Sequence, residues 1–192
     1  MDHPGFDMIT IVLLSGGIDS MVAAHLVKSQ NCVCDQAIFI DYAQPAVDAE
    51  RVASRAIAAA LGIMQWSSIN VCGIPVPESG FMQARNLMFA TLALSALGMN
   101  SGLVVTGIHD GTCYADCTHD FHRLVQATYD LYTEGSVQFT APLLYWKKAD
   151  IVNYALHKQL PIGLTHSCES SGTSPCGTCA SCKDRYELLG KI

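Results

Sequence analysis

A parallel β-sheet covered by helices on both faces is the architecture this sequence predicts, and three observations carry it. An uninterrupted apolar, β-branched run opens the chain, strand-like segments then alternate with helical ones, and the connections between them are short. Met8–Leu14 (Met-Ile-Thr-Ile-Val-Leu-Leu) reads as a strand buried on both faces. A Gly-Gly turn hands it to a helix from Ser20 to about Ser29. Ala37–Asp41 is a second strand, and Asp48–Leu61 an Ala-rich helix closed by Gly62. Ile63–Val71 predicts a third strand, Pro75 and Pro77 a loop, and Ala84–Leu97 an apolar helix ended by Gly98. Leu103–Thr106 is a fourth strand, with helices expected over 119–134 and 148–158. From His166 to Cys182 the composition shifts to Ser, Gly, Thr and Cys, which predicts a small metal-held appendage (166–182) within one domain spanning 1–192. Sheets of this kind receive ligands beyond the carboxyl ends of their strands.

A length of 192 residues suits one domain that buries about 70% of its unfolded surface. With 50% hydrophobic and 15% charged residues, a disordered or fibrous chain is excluded. Eleven basic against 17 acidic side chains leave a net charge of −6 with no Lys/Arg run, so nucleic-acid binding is not expected. The longest apolar run, Leu87–Met99, contains Thr91 and Ser95 and falls short of the about 20 residues a bilayer requires. The start, Met-Asp-His-Pro-Gly-Phe-Asp, has no basic n-region, so a cytoplasmic protein is expected. Nine cysteines, an odd number, argue against a disulfide scaffold. Cys32, Cys34, Cys72 and Cys113 are expected as ordinary small apolar residues.

Ser15-Gly16-Gly17-Ile18-Asp19-Ser20 stands where the first strand hands over to the first helix. Two glycines let the backbone approach an anion, and the helix N-terminus supplies free N–H groups and a positive dipole end. Ser15 and Ser20 add hydroxyls, and Ser20 is a natural N-cap. Asp19 is unwelcome beside a bare phosphate but fits a Mg²⁺ that bridges carboxylate and phosphate oxygens. A tight strand–helix turn with a capping serine is the plainer alternative.

This hexapeptide resembles the S-G-G-x-D-S loop of the PP-loop ATPases, which cleave ATP between the α and β phosphates and adenylate a substrate oxygen. Further segments resemble one branch, the 7-cyano-7-deazaguanine synthases of the queuosine pathway. They are Asp41-Tyr42-Ala43-Gln44, Ala84-Arg85-Asn86-Leu87, Thr106-Gly107-Ile108-His109 followed by Tyr114-Ala115-Asp116-Cys117, Pro142-Leu143 followed by Lys148-Ala149-Asp150-Ile151, and Thr165-His166-Ser167-Cys168 with three later cysteines. The chain departs from that pattern at Pro45-Ala46-Val47, Gln83-Ala84, Lys147 and Thr118. The resemblance implies a Rossmann-like sheet of the adenine nucleotide alpha hydrolase type, and conversion of 7-carboxy-7-deazaguanine with ammonia and ATP into the nitrile. It implies ATP contacts from Ser15 to Ser20 and Tyr42, catalytic roles for Asp19, Lys148 and Arg85, substrate contacts from Arg85, Asn86, Tyr114 and Asp116, and a homodimer. Lys148 as a solvated helix-start charge and Arg85 as a surface ion-pair residue remain open.

Cys168-x7-Cys176-x2-Cys179-x2-Cys182 places four thiolates within 15 residues, enough to close a tetrahedral sphere about a structural Zn²⁺. An iron–sulfur cluster is the rival, although Lys183-Asp184-Arg185 follow where a ferredoxin run expects C-x3-C-P. His166 is a spare ligand or a flanking hydrogen-bonding group. Asp116 can accept two donors from a guanine-like ring edge, or cap the helix that begins near His119. Tyr114 can stack on that ring or be an ordinary half-buried tyrosine, and no base for a Cys117 nucleophile is visible. Three function classes stay open: nitrile synthesis, a related adenylating enzyme (acyl transfer or tRNA thiolation), and a non-catalytic nucleotide-binding module.

Overall fold

The computed structural model of the protein describes residues 8–30, 32, 34–77, 82–109, 114–172 and 174–190. The opening apolar run forms β1 (Ile9–Leu13). It leads through α1 (Ile18–Ser29), β2 (Gln36–Asp41), α2 (Val47–Ala60) and β3 (Gln65–Asn70). α3 (Arg85–Leu97), β4 (Gly102–Val105) and α4 (His119–Thr133) follow, then β5 (Val137–Thr140), α5 (Lys148–His157) and α6 (Ala180–Leu189). The five strands pair in parallel in the order β3-β2-β1-β4-β5.

Strand alternation divides the interior in two. Val12, Leu14, Ala37 and Val105 face a core closed by α1, α2 and α5, whereas Ile11, Leu13, Ile38 and Val104 face one closed by α3 and α4. The chain builds outward from β1 to β3, crosses back, and builds outward again through β4 and β5. Right-handed crossovers then require the helices of the two halves to lie on opposite faces. The connections leaving β1 and β4 part in opposite directions, opening a crevice at their carboxyl ends.

Two elements were not anticipated. β5 has only four residues, too few for a periodic signal, and α6 begins within the cysteine cluster at Ala180 and runs on to Leu189, so the tail does not end as a loop at Cys182. β5 is an edge strand whose outer backbone is capped by α4. Gln126 accepts from Phe139 N (2.7 Å) and donates to Val137 O (3.1 Å), and His122 Nε2 lies 2.8 Å from Phe139 O. That occupies groups which would otherwise invite another strand. Cys34 packs in the core and burial raises its thiol pKa to about 11, but Cys32 and Cys72 are exposed, contrary to expectation. Cys113 and the first seven residues lie outside the described residues. Among those described, no helix is long and apolar enough to cross a membrane.

Tyr129 ties α4 to α3 from inside the second core. Its ring meets Phe139 edge-on (5.6 Å between centroids), and its hydroxyl donates to Ala90 O at 2.7 Å. Burial raises its phenol pKa. Tyr129→Phe keeps the ring and loses that bond, so stability should fall by about 1 kcal/mol and Tm by roughly 2–4 °C in a calorimetric scan.

Candidate functional site

The Ser15–Ser20 loop leaves the carboxyl end of β1 and opens α1, at the crevice. Gly17 caps the helix in an extended conformation (ψ 164°) and offers no side-chain acceptor. Ser20, expected as the cap, therefore sits one turn inside and donates back to Gly17 O at 3.0 Å. The Ser15 and Ser20 hydroxyls lie 3.2 Å apart, and Gly17 N donates to Ser15 Oγ at 3.4 Å. The loop is hemmed in. A Cβ on Gly16 (φ +91°) would lie 2.6 Å from Glu50 O, and one on Gly107 would lie 2.7 Å from Ser20 N. Only glycine permits these approaches of α2 and of the segment after β4.

Lys148, the first residue of α5, reaches Asp19 and donates to both carboxylate oxygens, at 2.7 and 2.6 Å. The alternative of a solvated helix-start charge is thereby overturned. His109, 6% exposed, brings Nε2 to 4.0 Å from Asp19 Oδ1. No role was expected for His109 from sequence; its position just past the fourth strand, at the ligand-bearing edge, was the available signal.

A second charged group faces the crevice from α3. Arg85 is not a surface ion-pair residue: it packs against the buried Tyr42, hydrogen-bonds its phenol, and lies 5.9 Å from the Phe89 ring centroid. Burial disfavours the guanidinium charge, but Tyr42 and Asp116 outweigh that and raise its pKa. Arg85 Nε is buried without a hydrogen-bond partner. Burial also raises the Tyr42 phenol pKa, against the pull of Arg85. Glu50, behind the loop, has its carboxyl pKa raised by burial while Gln44 (2.8 Å) and the nearby His166 and Arg85 oppose the shift.

Asp116 does not cap α4. Thr118 does, accepting from Phe121 N at 3.3 Å. Asp116 instead accepts from Asn86 N (3.3 Å) in the first turn of α3, whose own cap residue, Ala84, has no acceptor in its side chain. Asn86 returns the contact by donating to Asp116 O at 3.2 Å and to Cys117 Sγ at 3.7 Å. Tyr114 stands beside this pair, 46% exposed.

In the tail, the Sγ atoms of Cys168, Cys176, Cys179 and Cys182 lie within 4.8 Å of one another. Metal–sulfur bonds of about 2.3 Å to one tetrahedral ion place sulfurs about 3.8 Å apart, so the set suits a single four-coordinate ion. Cys176 N donates to Cys168 Sγ (3.3 Å) and Cys179 N to Cys176 Sγ (3.4 Å). Hydrogen bonds from Ser170 and Thr178 lower the Cys176 thiol pKa to about 5, whereas burial raises that of Cys182 to about 12. His166 Nε2 engages Cys168 O at 2.9 Å and is a flanking group, outside the four sulfurs.

The family described as "Queuosine biosynthesis protein QueC" matches residues 74–192. A 7-cyano-7-deazaguanine synthase of Synechococcus sp. (strain RCC307) is 34% identical over 94% of this chain and 93% of its own. Another, of Trichodesmium erythraeum, is 30% identical over 96% of this chain and 97% of its own. Among solved structures, one described as a predicted subunit of tRNA methyltransferase from Methanocaldococcus jannaschii shares the fold. Its TM-score is 0.51 at 13% identity, covering 97% of this chain and 91% of that one.

Proposed function

The chain belongs to the QueC family of queuosine biosynthesis proteins, and from that premise we propose that it uses ATP and ammonia to turn 7-carboxy-7-deazaguanine into 7-cyano-7-deazaguanine. One observation in particular supports the reading. Lys148 is delivered from the start of α5 onto Asp19, at the mouth of a glycine loop that opens a helix.

The chemistry explains the need for both. A carboxylate is a poor electrophile because oxide would have to leave. Transfer of AMP to one carboxylate oxygen, with release of pyrophosphate, makes AMP the leaving group. Ammonia then displaces AMP to give the amide, and a second activation of the amide oxygen allows its loss with two protons to leave the nitrile. In this reading the loop amides with Ser15 and Ser20 receive the phosphates, and Tyr42 borders the nucleotide. Lys148 offsets the charge that develops as pyrophosphate departs. With Lys148 turned from Asp19 to the phosphates, the Asp19 carboxylate would be free to hold a Mg²⁺, which would supply further neutralisation of phosphate charge. Arg85 faces the substrate carboxylate or a phosphate with a fork-shaped donor. Asn86, Tyr114 and Asp116 hold the deazaguanine ring. The four cysteines hold one structural Zn²⁺ within a single PP-loop domain, and their reduced state goes with a cytoplasmic location. A homodimer completes the reading, supported by Leu124, Leu131 and Tyr132 standing exposed on α4.

Purified protein should release pyrophosphate with ATP, Mg²⁺ and 7-carboxy-7-deazaguanine, and mass spectrometry should find the amide and nitrile only when ammonium is present. Asp19→Ala should cut turnover at least about a hundredfold while leaving Tm within a few degrees. Turnover undiminished in that variant removes the assigned role. Asp116→Asn should raise KM for the acid roughly 10- to 100-fold, because an amide N–H then faces a ring donor, with KM for ATP nearly unchanged. Equal losses for both substrates would mean that Asp116 serves only the start of α3. Elemental analysis of anaerobically purified protein should give one zinc per chain, and iron with sulfide would refute the zinc assignment.

A further inference from the structure

A short run of hydrogen bonds joins the cysteine tail to the Ser15–Ser20 loop. His166 N donates to Gly16 O at 2.9 Å, and His166 O lies 3.9 Å from where a Cβ on Gly17 would be. Gly16 is therefore gripped from two sides, by the first turns of α2 and by the tail. His166 is in turn held by its neighbours. Arg185 donates through Nη1 to Thr165 Oγ1 (2.8 Å) and Ser167 Oγ (3.1 Å), and through Nη2 to Ile162 O (3.2 Å). Arg185 stands on α6, one turn beyond Cys182, whose thiol joins the cysteine cluster in the first turn of that helix. The other flank of His166 leads within two residues to Cys168. Both supports of the His166 amide thus end on the cysteine cluster.

We propose that the His166 main-chain amide is a positioning group for the phosphate loop, and that metal ligation by the four cysteines sets ATP affinity through it. The inference rests on reading Ser15–Ser20 as the ATP site. Its physical basis is preorganisation. The bond to Gly16 O fixes the Gly16–Gly17 peptide plane, whose N–H lies against Ser15 Oγ (3.4 Å), and a loop that already holds its shape loses less conformational entropy on binding phosphate. With the cysteines unligated, α6 loses its anchored first turn, the Arg185 clamp loosens, and Gly16 O loses its donor. ATP then meets a loop that must be ordered at the moment of binding.

The test compares His166→Pro, which lacks the N–H, with His166→Ala, which keeps it, in the zinc-loaded full chain. Thr165 already has φ −80° and ψ 143°, which suits a residue preceding proline. Titration with Mg²⁺-ATP in a calorimeter, without the acid substrate, should give a Kd about tenfold weaker for the proline variant than for the alanine variant, with equal zinc content. The ratio cancels any contribution of the imidazole. In the unaltered protein, removing zinc by chelation should speed exchange of the His166 amide proton, and Arg185→Ala should speed it with zinc still bound. Equal Kd values for the two His166 variants would overturn the proposal, as would an exchange rate at His166 indifferent to zinc. If the proline variant fails to fold, the Mg²⁺-ATP Kd of the unaltered chain with and without zinc takes its place: a Kd weakened about tenfold on zinc removal, together with faster His166 exchange, supports the proposal, and an unchanged Kd overturns it. If the zinc-loaded, unaltered chain does not bind ATP at all, the functional reading falls and this proposal with it, whereas normal ATP binding that is indifferent to zinc overturns the proposal alone.

Discussion

The bidentate contact of Lys148 with Asp19 is the interaction on which the site's geometry depends, because nothing local brings these residues together. They are 129 positions apart, and each sits in the first turn of its own helix. For the two ends to meet, β4 must insert next to β1, β5 must follow it outward, and α5 must return to the face that α1 occupies. Any register error in the sheet would separate the charges. Partly buried charges left unpaired are costly, so the pair also disfavours misassembled alternatives. Gly107 enforces the same closeness by steric means, since the segment after β4 can approach Ser20 only without a Cβ.

Electrostatics in the crevice run against the chain as a whole. The protein carries a net charge of −6, yet anionic phosphates and an anionic acid are its proposed substrates. The basic groups that matter are few and fixed. Lys148 is paired with Asp19 in the first turn of α1, and Arg85 stands at the start of α3 against Tyr42 and Asp116. Arg85 shows how such a charge is kept in a half-buried place: the Tyr42 phenol and Asp116 compensate for its lost hydration. With a net charge of −6 the chain as a whole offers anions no long-range attraction, so fixed local groups such as Lys148 and Arg85 have to supply it.

Much of this was legible in the sequence because strong local signals coincide with global ones. The β-branched run, the glycine pair and the C-x2-C turns each require one local conformation, and each occurs where the fold needs it. What escaped had no local signature. β5 is four residues of mixed polarity whose pairing partner lies in β4, and α6 gains its start from a cysteine cluster. Ser20 has the chemistry of a cap, but the helix begins earlier because Gly17 is already extended and its carbonyl accepts from Met21. By sequence proximity alone, Asp116 is placed to cap the helix that begins near His119. It serves α3 instead, thirty positions away, because Ala84 leaves that helix start without an acceptor. Spacing reveals residue chemistry within a segment, whereas pairings between segments follow from topology.

The tail illustrates how little apolar burial a functional element can rest on. α6 has ten residues, and the cysteine at its start is the one fully buried side chain among them. Leu188 and Leu189 touch the core only partly. A helix of that length is marginal in water by itself, since nucleation costs more than a few turns return. The Arg185 hydrogen bonds along its side and the cysteine cluster at its start add to that packing, and any metal bound by the four thiolates would contribute its binding energy as folding energy for the segment. The same segment supplies the donor to Gly16. A loop proposed to bind phosphate needs amides held in one orientation, but Gly16 and Gly17 cannot provide that rigidity themselves, having the greatest backbone freedom of any residue. Rigidity has to be imported from neighbours, and one of them is the segment between α5 and the four-cysteine cluster, through the His166 N–H on Gly16 O.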